Sequence, residues 1–156
     1  MALPINLPHP VTENPIILRA AAILPAAGAF DAVPLELAVA GFRSVVLYIT
    51  YTRGGAAGSV RASIEVSPFA ANRVLPLQSW YHAALYAAAI VAAGVDAVSP
   101  VQREDIRYQA TGATAEMFAY GPIQLAGDVE RLRIACAEEG AVATPGDCEI
   151  VGVLYE

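Results

Sequence analysis

Between Phe42 and Ser67 the chain alternates with a period of two, and this stretch restricts the possible folds more than any other. Val45, Leu47, Ile49 and Tyr51 interleave with Val46, Tyr48, Thr50 and Thr52. After Gly54-Gly55-Ala56-Ala57-Gly58, the residues Val60, Ala62, Ile64 and Val66 interleave with Arg61, Ser63 and Glu65. A repeat of two places each set of side chains on one face of an extended strand, and β-branched and aromatic residues suit that state. Two such runs around a glycine-rich loop predict an antiparallel hairpin, ended by Pro68. A second pair closes the chain. Leu132, Ile134 and Cys136 alternate with Arg131, Arg133 and Ala135; a loop over 139–147 holds Gly140 and Pro145-Gly146; the run Cys148–Tyr155 returns. This pattern predicts a second hairpin.

Ile16–Leu24, Pro34–Ala40, Asp105–Ala110 and Ala115–Tyr120 are further strand candidates, with Pro122–Leu125 as a short continuation. Trp80–Val98 is alanine-rich, which favours helix intrinsically. It shows neither a cap nor a charged face, and its all-β surroundings favour strands. Gly and Pro turns between short strands predict an all-β chain, an antiparallel β-sandwich of jelly-roll type. With 156 residues, one domain is expected, here residues 16–156. Residues 1–15 carry Pro4, Pro8, Pro10 and Pro15, which rules out a helix or central strand there. Leu3, Ile5, Leu7, Pro8, Pro10 and Val11 are expected to form an extended arm that binds a partner. A frayed terminus is the competing reading.

Composition narrows the function. Only 15% of residues are charged against 56% hydrophobic, where ~25% charged is usual. So few charges leave apolar surface for another subunit to cover, and a homo-oligomer is expected. Nine arginines and no lysine face fifteen acidic residues, for a net charge of −6. Scattered cations on an acidic chain argue against nucleic acid. The longest apolar run, Ala83–Val95, has thirteen residues, short of the ~20 that a membrane helix needs. No basic and then apolar leader opens the chain, so synthesis in the cytoplasm is expected.

No constellation for catalysis stands out. His9 lies in the arm and His82 follows Trp80-Tyr81; no convergent ligand spacing points to a metal. There is no G-x-S-x-G elbow, P-loop or G-x-G-x-x-G. The Gly54–Gly58 stretch joins two strands and lacks the helix N-terminus of a phosphate cradle. The pairs Glu104-Asp105 and Glu138-Glu139 are expected in solvated loops, since adjacent strand residues point to opposite faces. Cys136 and Cys148 are read as two buried thiols, with a disulfide across the second hairpin as the alternative. No cofactor and no enzyme activity are expected. Trp80, Tyr81, Tyr86, Tyr108 and Tyr120 are the aromatics a sugar-binding face would use; a core role is the competing reading.

The stretch Phe42–Thr52, the turn and Ser59–Pro68, together with Glu130–Ala135 and the last hydrophobic strand, resemble small bacteriophage virion proteins of the β-sandwich kind. Capsid decoration (cement) proteins and tail accessory proteins are the nearest class. The resemblance implies a structural protein without catalytic residues, a trimer or similar homo-oligomer, and the major capsid protein or other virion subunits as partners. A carbohydrate-binding module is the alternative, and a small enzyme with its site across a subunit interface is a third reading.

Overall fold

The computed structural model describes residues 15–26, 28–56, 58–68, 80–82, 105–125, 127–139 and 144–156. Strands run over β1 (Ile16–Ile23), β2 (Glu36–Ala38), β3 (Ser44–Thr52), β4 (Ser59–Ser67), β5 (Tyr81–His82), β6 (Ile106–Gln109), β7 (Glu116–Gln124), β8 (Arg131–Glu139) and β9 (Asp147–Tyr155). No helix occurs among the described residues. One sheet has the order β1-β9-β3-β7, and the other β2-β8-β4-β5, with β6 also on β4. All pairings are antiparallel. The described residues therefore form an all-β sandwich.

The core follows from the alternation. Val45, Leu47, Ile49 and Tyr51 of β3 are buried and meet Val60, Ala62, Ile64 and Val66 of β4 in one apolar cluster. Leu132, Ile134 and Cys136 of β8 and Cys148, Ile150 and Leu154 of β9 complete it. Intervening residues on β3 and β9 are only half-buried. Two sheets, each with one apolar face, bury those faces against each other at a spacing of ~10 Å.

Neither expected hairpin forms. The strands of the first pair lie in different sheets: β3 bonds to β7 and β9, and β4 bonds to β8, β5 and β6. The second pair separates in the same way, with β8 in one sheet and β9 in the other. Each connection is thus an arch from one sheet to the other. Alternation tells which side chains turn inward, and it is satisfied equally when inward faces lie side by side or look at each other. A loop of about six residues spans either the ~4.8 Å between paired strands or the ~10 Å between sheets.

The other strands fall near their expected positions. β1 and β2 lie within the expected runs, and β7 continues through Pro122, after a cis Gly121-Pro122 bond, at a register shift opposite Val45 and Leu47. Gly41 takes a positive φ of 88° in the turn between β2 and β3, a conformation that favours glycine. Of the ambiguous Trp80–Val98 stretch, β5 is extended and pairs with Glu65 and Val66; residues 83–98 lie outside the described residues. β5 and β6 both flank β4 on the side away from β8, at opposite ends.

Candidate interaction surface

Among the described strands, β1 is the outermost of one sheet and β2 the outermost of the other. Leu18 and Leu24 point into the core, but Ile17 and Ile23 do not. Ile23 is 68% exposed, and Val33 and Leu35 in the β1–β2 connection are 91% and 55% exposed. Among the described residues, four of the six large exposed hydrophobics lie on this one edge; the other two, Met117 and Tyr120, are on β7 at the far edge of the same sheet. Singly exposed apolar residues are ordinary, and a contiguous group marks a contact surface.

Between β1 and the β1–β2 connection lies a cleft of about 280 Å³, lined by Leu18, Ala20, Ala22, Val33, Leu35 and Ile134, with Arg19 and Asp31 alongside. Arg19 Nε and Nη2 donate to the two Asp31 carboxylate oxygens at 2.9 and 3.0 Å. Arg19 Nη1 also donates to the carbonyls of Ala22 and Cys148. Asp31 is bound to β8 as well: its N–H donates to the Cys136 carbonyl at 2.9 Å, and its Oδ2 accepts the Cys136 N–H at 2.9 Å. The register of β1 on β9 shifts on both sides of Arg19. The charged pair thus fixes the loop that carries Val33 and Leu35, and it spends the single cation of β1 on an internal partner.

At one end of the sandwich the two arches meet on Glu138. This residue is 2% exposed, where a solvated loop position was expected. Its carboxylate accepts the Tyr51 hydroxyl at 2.8 and 3.0 Å, the Ser59 N–H at 3.0 Å and the Gly146 N–H at 2.8 Å. Burial, and then the bond to Glu138, push the Tyr51 phenol far above its ordinary pKa. A Cβ on Gly146 would lie 2.6 Å from the Tyr51 ring, so the arch passes too close for any side chain. Its neighbour Glu139 is half-buried and pairs with Arg107 at 3.1 Å. Asp105 lies 3.7 Å from Arg61, and Glu104 is outside the described residues.

The cysteines are free and fully buried, as one of the two readings expected. They approach from opposite sheets rather than across a hairpin. The hydrogen bond with Cys148, and then burial, push the Cys136 thiol well up. Trp80 is half-buried under the guanidinium groups of Arg131 and Arg133, at 4.8 and 4.2 Å. Those arginines also pair with Glu36 and Glu65. Tyr108 stacks on Phe118 with ring centres 4.2 Å apart, while Tyr120 is exposed. Tyr86 and the side chains of Tyr81 and His82 lie outside the described residues, as do His9 and the arm residues Leu3, Ile5, Leu7, Pro8, Pro10 and Val11. Among the described residues, no three His, Cys, Asp or Glu side chains converge as metal ligands, and no helix is long and apolar enough to cross a membrane.

Glu116 closes the β6–β7 connection. It accepts from the Tyr108 hydroxyl, from the Thr111 N–H and hydroxyl at 2.9 and 2.8 Å, and from the Gly112 N–H at 2.7 Å. These bonds, the Tyr108 hydroxyl first, hold its carboxyl down to about 2, against an ordinary 4.5. A depressed folded value stabilises the fold above the unfolded pKa, and that contribution is lost as pH falls through the folded one. Glu116→Gln is therefore expected to melt below the parent at pH 6. The gap should close between about pH 4.5 and about pH 2 in a thermal-melt series. A constant gap would assign the effect to shape rather than charge.

The protein-family models, the curated proteins and the solved structures contain no match to this chain. The apolar edge and its cleft were not legible as a site, because Ile17, Ile23, Val33 and Leu35 are spread over nineteen residues in which nothing distinguishes outward from inward side chains.

Proposed function

We propose that this chain is a bacteriophage virion structural protein, a capsid decoration (cement) protein built on a jelly roll. The observation that carries this reading is the nesting of strand pairs. β1 pairs with β9, β2 with β8, β3 with β7, and β4 with β5 and β6. A ribbon folded back on itself and rolled into two sheets pairs in this order, and jelly rolls of this winding serve in capsid, lectin and cupin domains. The exposed apolar side chains beside β1 favour the first of these uses, since a virion protein works through contact between subunits.

The physical task is simple. A shell under internal pressure fails where subunits meet, and a protein bound across the junction raises the cost of parting them. That requires area and shape complementarity. An oligomer contacts several equivalent junctions at once, and each contact after the first is intramolecular. In this reading Leu3, Ile5, Leu7, Pro8, Pro10 and Val11 add area against a neighbouring subunit, and their prolines lower the ordering cost by stiffening the free arm.

Antiserum to the purified chain tests the proposal on virions from the source culture. Head labelling in immunoelectron microscopy is the expected result. Label confined to tails would move the chain to the tail accessory class, and absence from virions would overturn the reading. Deleting residues 2–14 should abolish co-sedimentation with heads and leave the near-ultraviolet circular dichroism of the domain unchanged. A truncated form that still decorates heads would remove the arm from the mechanism.

A further inference from the structure

We propose that residues 2–11 of one copy dock along the outer edge of β1 in a second copy, with their odd-numbered side chains in the cleft beside Val33 and Leu35. The argument starts with the prolines. Within this segment they occupy even positions only, Pro4, Pro8 and Pro10, whereas Leu3, Ile5, Leu7 and Val11 are odd. In an extended strand every second residue directs its backbone groups to the same side and its side chain to the same face. All the missing donors then fall on one side, leaving the other free to pair, which is the placement that an edge strand tolerates. Leu3, Ile5, Leu7 and Val11 fall together on one face, with His9 the single polar side chain among them.

The acceptor is β1. Within Ile16–Ile23 there is neither proline nor lysine, and the single charge, Arg19, is held by Asp31. Charges, prolines and bulges are the usual protections of a sheet edge; β1 has register shifts only on either side of Arg19, and its ends are free of all three. Ile17, Ile23, Val33 and Leu35 leave apolar surface exposed around it. The lengths agree: ten extended residues span about 31 Å at ~3.1 Å each, and the eight residues of β1 span about 26 Å at ~3.3 Å each.

The occupant is a second copy because the chain is poorly equipped to turn back on its own β1. No glycine precedes Gly28, so the tight primed turns that close hairpins lack their preferred residue. Asn14 stands before Pro15, and a residue before proline is held extended. In the proposed exchange the arm leaves β1 outward. Reciprocal exchange of such an arm closes into a symmetric dimer, and head-to-tail exchange gives a ring where its rotation closes.

This proposal takes the arm's contact role from the proposed function but does not depend on the virion. Light scattering should show a closed oligomer for the full chain and a monomer after deletion of residues 2–14. A fluorescent peptide of residues 1–14 should bind the deleted form. It should bind the deleted form carrying Ile23→Lys and Leu35→Glu at least about tenfold more weakly, as buried unpaired charge dictates. Both positions are exposed, and unchanged near-ultraviolet circular dichroism would verify folding. A monomeric full chain, an oligomer that survives the deletion, or a peptide indifferent to the edge substitutions would each overturn arm exchange. A monomer that still labels virions would overturn this inference alone, and an arm-exchanged oligomer absent from virions would overturn only the virion reading.

Discussion

Glu138→Ala is expected to lower stability by about 3–5 kcal/mol, because it strands several buried donors at once and each costs about 1–3 kcal/mol unpaired. The Tyr51 hydroxyl, the Ser59 N–H and the Gly146 N–H all point at this carboxylate. Tyr51 is fully buried, so water cannot replace the acceptor without opening the end of the sandwich. A domain of this size has only about 5–15 kcal/mol in total, so the variant should populate unfolded chain measurably at moderate temperature. Urea midpoints at constant slope measure the loss. Two controls separate the bonds from the volume. Tyr51→Phe removes one donor and should cost about 1 kcal/mol. Glu138→Gln keeps the shape but turns an NH2 toward a donor, and should fall between the two. A Glu138→Ala midpoint close to the parent would mean that the arches hold without the carboxylate.

Asp31→Ala is the second large effect, expected at about 2–4 kcal/mol, since removing one partner of a desolvated pair leaves the other charge uncompensated. The Arg19 side chain is only 9% exposed, and without Asp31 its remaining partners are carbonyls. The Cys136 N–H loses its acceptor too. Asp31→Asn keeps an oxygen for that N–H and should recover part of the loss. Hydrogen exchange reads the site directly: protection at Cys136 should fall in Asp31→Ala and remain in Asp31→Asn. Because this residue anchors the loop bearing Val33 and Leu35, Asp31→Ala should also weaken binding of the arm peptide. Undiminished peptide binding would separate the ion pair from the cleft.

Much of the architecture was legible. The inward residues that the alternation marks on β3, β4 and β8 are buried, and β7 follows the expected run through Pro122. The two hairpins were not, and neither was Glu138. Beside Glu139, near a glycine-containing loop, it carries every mark of a solvated residue. It is buried because two arches, joined to strands nearly eighty residues apart along the chain, bring their N–H groups to one point. Arg19 and Asp31 show the same limit: nothing in Ile-Leu-Arg-Ala or Phe-Asp-Ala announces a bidentate pair.

The amino-acid pattern by itself determined where most of the strands run and which face of β3, β4 and β8 carries the core. Both are properties of a single strand against an apolar interior, and burial rewards the same side chains whatever the neighbour. The tertiary structure alone decided which strands pair, that β3 and β4, like β8 and β9, lie in opposite sheets, and that apolar side chains stay exposed beside β1. Backbone hydrogen bonds carry no side-chain identity, so alternation does not select the partner. That choice falls to the packing of the two sheets as a whole, which sets the nested order β1-β9-β3-β7 against β2-β8-β4-β5.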